Sequence, residues 1–316
     1  MSMRNKYSKI VLLLWVTIIL AVAGISLLFV NKFQTQEINN APTSTQTIKP
    51  SEPTITSSPL PPTSTPLPEN PTSIPPSSTP EKDQPQIIGT SVAGRPLQVY
   101  RFGNGPEEKM IVAGIHGGYE WNTIVLADEM IGYLENHPGV VPTGQTLFIL
   151  RALNPDGYER SRGFGGRANE NNVDINRNFP SKWQVEWPRA GCWDYIPITG
   201  GTHAASEPET QALMAFINSH DIQALISYHS AALGIFPGGQ PPDQGSLSLA
   251  ESLAAVTDYP YPPIDAGCAF TGQFVDWASD QGIPAVDIEL TNHQDSDFEE
   301  NLAVLSVFLD WSYPQD

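Results

Sequence analysis

Residues 114–122 read GIHGGYEWN and follow the short apolar run KMIVA. His116 and Glu120 stand four positions apart in a glycine-rich turn, between what reads as a strand and what reads as a helix. An imidazole and a carboxylate so placed can be two ligands of a metal ion that still lacks a third. Each can equally be an ordinary structural residue, and position decides between the two. The chain has six histidines, of which His137, His203, His220 and His293 fall in loops or at helix ends, where solvated surface is the default. His116 and His229 instead close apolar runs, and Glu289 lies beside the end of another. Three such groups at strand ends favour one shared site over three coincidences.

Charge adds a second signal. From Gln86 onward there are 10 Lys or Arg against 29 Asp or Glu, a net charge of −19, which argues against nucleic acid or an anionic membrane surface as a partner. Half of those ten cations, Arg151, Arg160, Arg162, Arg167 and Arg177, nevertheless lie within 27 residues around a Gly- and Asn-rich loop. Arginines gathered in this way either hold an anion or balance nearby carboxylates.

The elements that must position these groups can be read from the pattern of apolar residues. The runs LQVYRF (97–102), MIVAGI (110–115), TLFIL (146–150), ALISYH (224–229) and AVDIEL (285–290) have the length of buried strands. Helical patterns lie between them. NTIVLADEMIGYLENH places Ile124, Ala127, Ile131 and Leu134 on one face, and SEPETQALMAFINSH opens with Ser206 and Glu209 at capping-box spacing. This alternation predicts an α/β domain over 86–316: a mostly parallel, mixed, twisted sheet with helices on both faces and a site at the carboxyl ends of its strands.

What precedes the domain predicts its location. Residues 1–9 carry Arg4, Lys6 and Lys9, and residues 10–30 have no charge, a run of about 31 Å if helical. The reading is a single-pass transmembrane signal anchor with a cytoplasmic tail and everything after it outside the cell. A signal peptide cleaved near Ala21-Val22-Ala23 is the alternative, and it also exports the domain. Residues 41–85 hold 13 Pro and 17 Ser or Thr, so the stretch 31–85 reads as a disordered, extended stalk.

The loop NPDGYERSRGFGGRANENNVDINRNFP (154–180) carries a resemblance. With the His–Glu pair before it, the Arg ahead of VDINRNF, the His of SYHS and the Glu of DIEL after DWASDQGIP, it resembles the zinc carboxypeptidases of the M14 type, nearer their short bacterial members. The order of the five signatures, more than any one of them, carries the likeness. The resemblance implies one zinc ion held by His116, Glu120 and His229, with a fourth position open to water, and Asp174 orienting a ligand imidazole. It implies Arg167 polarising the scissile carbonyl, Asn176 and Arg177 gripping a substrate carboxylate, and Glu289 taking a proton from water and passing it to the departing amine. The expected reaction is hydrolysis of the C-terminal amide bond of a peptide or muropeptide with a free carboxylate.

Departures bound that expectation. The family's usual H-x-x-E is H-x-x-x-E here, an extra residue that a glycine turn can absorb. No tyrosine stands near Cys268 and Ala269, where many of these enzymes keep a mobile one, and no inhibitory propeptide is recognisable. Val275 falls where the resemblance places a specificity residue, which hints at an apolar side chain in the substrate. Cys192 and Cys268, the two cysteines, form one disulfide in an exported domain or else remain two buried thiols. The alternatives are a peptidoglycan γ-D-glutamyl-diaminopimelate peptidase, a small-molecule deacylase of the aspartoacylase type, and a non-catalytic wall-binding module.

Overall fold

Seven strands form one sheet in the order β1-β2-β4-β3-β5-β7-β6, where β1 is Gln86–Thr90, β2 Pro96–Gly103, β3 Glu107–Val112, β4 Gln145–Leu150, β5 Ile222–Ser230, β6 Gly234–Pro237 and β7 Ala285–Leu290. The computed structural model describes residues 84–192, 197–232 and 234–313. The expected tail 1–9, anchor 10–30 and all but the last two residues of the stalk 31–85 lie outside the described residues. Among the described residues no helix is long and apolar enough to cross a membrane.

The central strands β4, β3, β5 and β7 are parallel, whereas β2 on one side and β6 on the other pair antiparallel with them, and β1 pairs antiparallel with β2. The sheet is thus parallel at its centre and antiparallel at both flanks, which refines the mostly parallel expectation. β3 begins three residues before the run 110–115 and also ends three residues before it, since residues 113–115 already lead through the turn that carries His116.

Helices cover both faces. On one, α1 (Trp121–Asn136), α4 (Gln244–Ala254) and α6 (Phe298–Asp310) pack Leu126, Met130, Leu249, Leu305 and Phe308 against Ile111, Ile149, Ile226 and Ile288. On the other, α3 (Pro208–Asn218) and α5 (Phe274–Asp280) pack Leu213, Phe216, Phe274 and Trp277 against Met110, Phe148 and Leu225. A short helix, α2 (Pro155–Arg160), follows β4. The predicted α1 stripe of Ile124, Ala127, Ile131 and Leu134 is buried.

The capping box expected at α3 does not form. Pro208 moves the helix start so that Glu207 is the N-cap, without a side-chain cap bond. Ser206 donates to Glu207 Oε1 instead, and Glu209 accepts from the Val92 and Asn169 side of the fold. One buried cation has a structural use: Lys109, in β3, donates to the carbonyl oxygens of Phe308, Leu309 and Trp311 at 3.0, 2.6 and 2.7 Å. Those carbonyls close the last turn of α6, which would otherwise leave acceptors without donors.

Candidate active site

The turn between β3 and α1 brings His116 and Glu120 together because its glycines take conformations and approaches that side chains would forbid. Gly114 and Gly117 have positive φ, and a Cβ on Gly117 would run into the carbonyl oxygens of Asn154 and Gly166. The backbone of the turn therefore lies against the NPDG segment, where Asn154 caps α2 by accepting from Gly157 N. His116 Nδ1 is 2.7 Å from Glu120 Oε1. The extra residue of the H-x-x-x-E spacing is accommodated in this way.

His229, near the end of β5, completes a buried cluster. Its Nδ1 lies 3.0 Å from Glu120 Oε2 and 3.2 Å from His116 Nδ1. One ligand atom from each of His116, Glu120 and His229 falls within 4.8 Å of the others. Two imidazole nitrogens and a carboxylate facing a common point form the donor set a divalent zinc ion takes, so these residues fit the metal.

The loop 164–180 supplies the polar wall. Asp174 caps a 3-10 turn over Ile175–Arg177, its Oδ1 accepting from Asn176 N at 3.0 Å and lying 3.2 Å from His116 Nε2. Arg167 Nε donates to Asp174 Oδ2 at 2.9 Å, and its Nη1 is 3.6 Å from Glu120 Oε1. Asn176 Oδ1 accepts from Phe274 N, and Arg177 Nη1 donates to the Asn176 carbonyl at 2.8 Å. The Arg177 guanidinium sits over the rings of Trp187 and Phe270. Beside it lies the Cys192–Cys268 disulfide, with Cys268 Sγ 3.9 Å from Nη2.

Of the five clustered arginines, Arg167 and Arg177 line the cavity. Arg151 pairs with Asp128, Arg160 with Glu170 and nearby carbonyls, and Arg162 stacks on Tyr158. Three of the five arginines thus serve carboxylates, carbonyls and a ring of the surrounding fold, and two face the cavity.

Glu289, in β7, pairs in register with His229 of β5, and its Oε2 accepts from Ala232 N at 3.0 Å. Burial, and then the neighbouring charge of Glu120, push its carboxyl up to about 8. Burial pushes Glu120 the same way, but His116 and His229 outweigh it and hold Glu120 well below the usual carboxylate range. Asp174 is likewise depressed, because Arg167 and His116 outweigh its burial. Two carboxylates near one cluster are therefore driven apart, one toward the charged form and one toward the neutral form.

All eight candidate residues line or adjoin one cavity of about 110 Å³; seven of them touch it and Asp174 stands behind His116. A second cavity of about 460 Å³ shares Ala232, Phe236, Phe270, Gln273, Asp287 and Glu289 with it. Val275 lines this second space, together with Tyr261, Asp276 and Asp287. Tyr259 does not reach it; its hydroxyl donates to Asp297 in the opposite layer.

Three lining residues escaped the sequence reading. Tyr119 stacks on Phe164 beside the cluster, and His293 packs against Tyr119 while its Nδ1 lies 2.8 Å from Ser230 Oγ. Asp287 had a legible signal, since in AVDIEL it lies two positions from Glu289 and so on the same face of the strand.

A model of the zinc carboxypeptidase family matches residues 77–301. The chain belongs to that family. As a member of this family it is a zinc metallopeptidase. It is 27% identical over 236 residues to murein peptide amidase A of Escherichia coli strain K12, covering 72% of this chain and 90% of that protein. It is 26% identical over 244 residues to γ-D-glutamyl-L-diamino acid endopeptidase 1 of Lysinibacillus sphaericus, covering 64% of this chain and 59% of that protein. The crystal structure of a murein-tripeptide amidase from Escherichia coli O157 shares the fold with a TM-score of 0.56 at 24% identity, over 77% of this chain and 98% of that one.

Proposed function

We propose that this metallopeptidase is exported, held at the cell membrane by residues 10–30, and hydrolyses an amide bond beside a free carboxylate in a murein-type peptide. The observation that carries the reading is one cavity joining the His116–Glu120–His229 cluster, Glu289 and the Asn176–Arg177 pair. Hydrolysis needs a Lewis acid, a base and an anchor for the substrate, and these residues answer those needs in turn.

In this reading His116, Glu120 and His229 hold one zinc ion. Bound there, zinc supplies Lewis acidity toward the scissile carbonyl and makes water acidic enough to lose a proton near neutral pH. Glu289 accepts that proton and delivers it to the departing nitrogen, a transfer helped by a carboxyl already displaced upward. Arg167 turns its guanidinium from Glu120 toward the carbonyl oxygen as negative charge develops there. Arg177, backed by Trp187 and Phe270, binds the terminal carboxylate with Asn176, so the bond cut is fixed at a set distance from that carboxylate.

The second cavity supports a murein-type substrate. Its wall joins apolar surface, including Val275 and Phe236, to the carboxylate of Asp276. A side chain with an aliphatic stem and an amino tip, as in a diamino acid, matches such a wall better than a purely apolar side chain does. The murein peptide amidase and the diamino acid endopeptidase among its relatives point the same way. The stalk 31–85 and the charge-free run 10–30 support a catalytic domain, residues 86–316, outside the cell.

Three experiments test this. Metal analysis of the full-length protein should find about one zinc, lost in His116→Ala and in His229→Ala; full occupancy in both variants would refute the ligand set. Turnover should be faster on muropeptides ending in a diamino acid than on the same peptides ending in an aliphatic residue, and Arg177→Lys should slow acids far more than their amides. Protease added to intact cells should release the domain by cutting the stalk, and a protected domain would reverse the orientation.

A further inference from the structure

The cluster fixes which nitrogen of each histidine faces the metal position. Nδ1 of His116 and Nδ1 of His229 approach Glu120 and one another at 2.7 to 3.2 Å. A cation bound between them takes the lone pair of each Nδ1, so the ring proton of each imidazole must lie on Nε2. On His116 that nitrogen meets Asp174 Oδ1. On His229 it faces Asp287 Oδ1 at 3.4 Å.

Asp287 is 4% exposed, and its Oδ1 has no hydrogen-bond partner. A buried carboxylate oxygen left without a donor is costly, and the His229 imidazole is the donor that the metal-bound tautomer creates. The other group near Nε2 cannot take that proton. Asn176 turns its amide nitrogen toward Nε2 at 3.4 Å, while its oxygen is occupied by Phe274 N.

We propose that Asp287 is a positioning residue that accepts the Nε2 proton of His229 and thereby holds Nδ1 toward zinc. The inference rests on the reading of the cluster as a zinc site. It gives each ligand imidazole a carboxylate behind it, Asp174 from the 3-10 turn for His116 and Asp287 from β7 for His229. Asp287 pairs in register with Ser227 and Glu289 with His229, so one strand sets both the proton acceptor and the orientation of a ligand.

The test compares full-length wild type with Asp287→Leu, which has similar bulk and no acceptor, and Asp287→Asn, which keeps a neutral acceptor. Zinc affinity is read by competition with a chromophoric chelator and folding by circular dichroism. Asp287→Leu should bind zinc about 10- to 100-fold more weakly, the range for losing such a partner, with Asp287→Asn in between. At saturating zinc, activity should fall alike on substrates with cationic and with aliphatic side chains. Unchanged zinc affinity in both variants, with a rise in KM confined to cationic substrates, would overturn the proposal and make Asp287 a reader of the substrate.

Nitrogen NMR of zinc-loaded wild type needs no variant to fold. A protonated, hydrogen-bonded Nε2 on His229 supports the proposal, and a metal-bound Nε2 ends it. Wild type that binds no zinc at all would instead refute the metal reading, a result separate from either.

Discussion

Glu289 concentrates the chemistry at the scale of single residues, because it is half-buried, lies near Glu120 and is not a member of the ligand cluster. Glu289→Gln preserves shape and cannot accept a proton, so zinc content should be retained while turnover falls at least ~10²-fold. Metal analysis beside steady-state rates checks both halves. The zinc-free protein gives a second expectation. The folded carboxyl titrates near 8, against about 4.3 when unfolded, so between those values the folded state holds a proton that the unfolded state has lost. By linkage this group's contribution to stability falls as pH rises across that window. Zinc-free Glu289→Gln should therefore melt close to wild type at about pH 5 and above it at about pH 9; melts showing the same difference at both values would contradict the buried titration. These residues were legible because chemistry restricts which types can serve: His116, Glu120, His229 and Glu289 stood out at strand ends. Asp287 offered its signal only through its place on the Glu289 face of AVDIEL, and His293 offered none, since a histidine in a polar loop acquires meaning from neighbours distant in sequence.

Among the elements, legibility followed burial. The four central strands are covered on both faces and read as continuous apolar runs, whereas β1 is largely exposed and β6 has four residues ending in a proline, so neither stands out from loop sequence. Ser206 and Glu209 had the right spacing for a cap, but Pro208 between them set the helix start and a distant backbone N–H took the glutamate. The 3-10 turn bearing Asn176 and Arg177 shows what no local pattern reveals. It is held by the loop before α5, where Phe179 N donates to Gly272 O and Gly272 N to Ser181 O. Gly272 has φ +62°, and a Cβ there would meet the Arg177 carbonyl. Gly272→Ala should lose roughly 1–3 kcal/mol in denaturant unfolding and, by shifting the Arg177 turn, raise KM for carboxylate-ended substrates.

For the molecule as a whole, the Cys192–Cys268 bridge joins segments 76 residues apart at the cavity rim. Replacing both cysteines by serine should lower stability by ~2–4 kcal/mol, as loop closure implies, read as the unfolding free energy from denaturant midpoint and m-value together. The pairing was readable from the count of two cysteines; its place beside Arg177 was not, since the partners come from different loops. Lys109 sets a limit of another kind. Its ammonium is buried in a central strand, and three acceptors that satisfy it are carbonyls from residues 308–311. The last helical turn is thus the counterpart of a charge laid down two hundred residues earlier, and folding cannot be completed until the ribosome has released that stretch. A folded chain lacking that stretch would leave the buried Lys109 ammonium with Glu107 Oε1, 3.1 Å away, in place of three further acceptors, a costly arrangement. Chains stopped after Val307 should be recovered unfolded, whereas the same stop combined with Lys109→Met should recover part of the protease resistance.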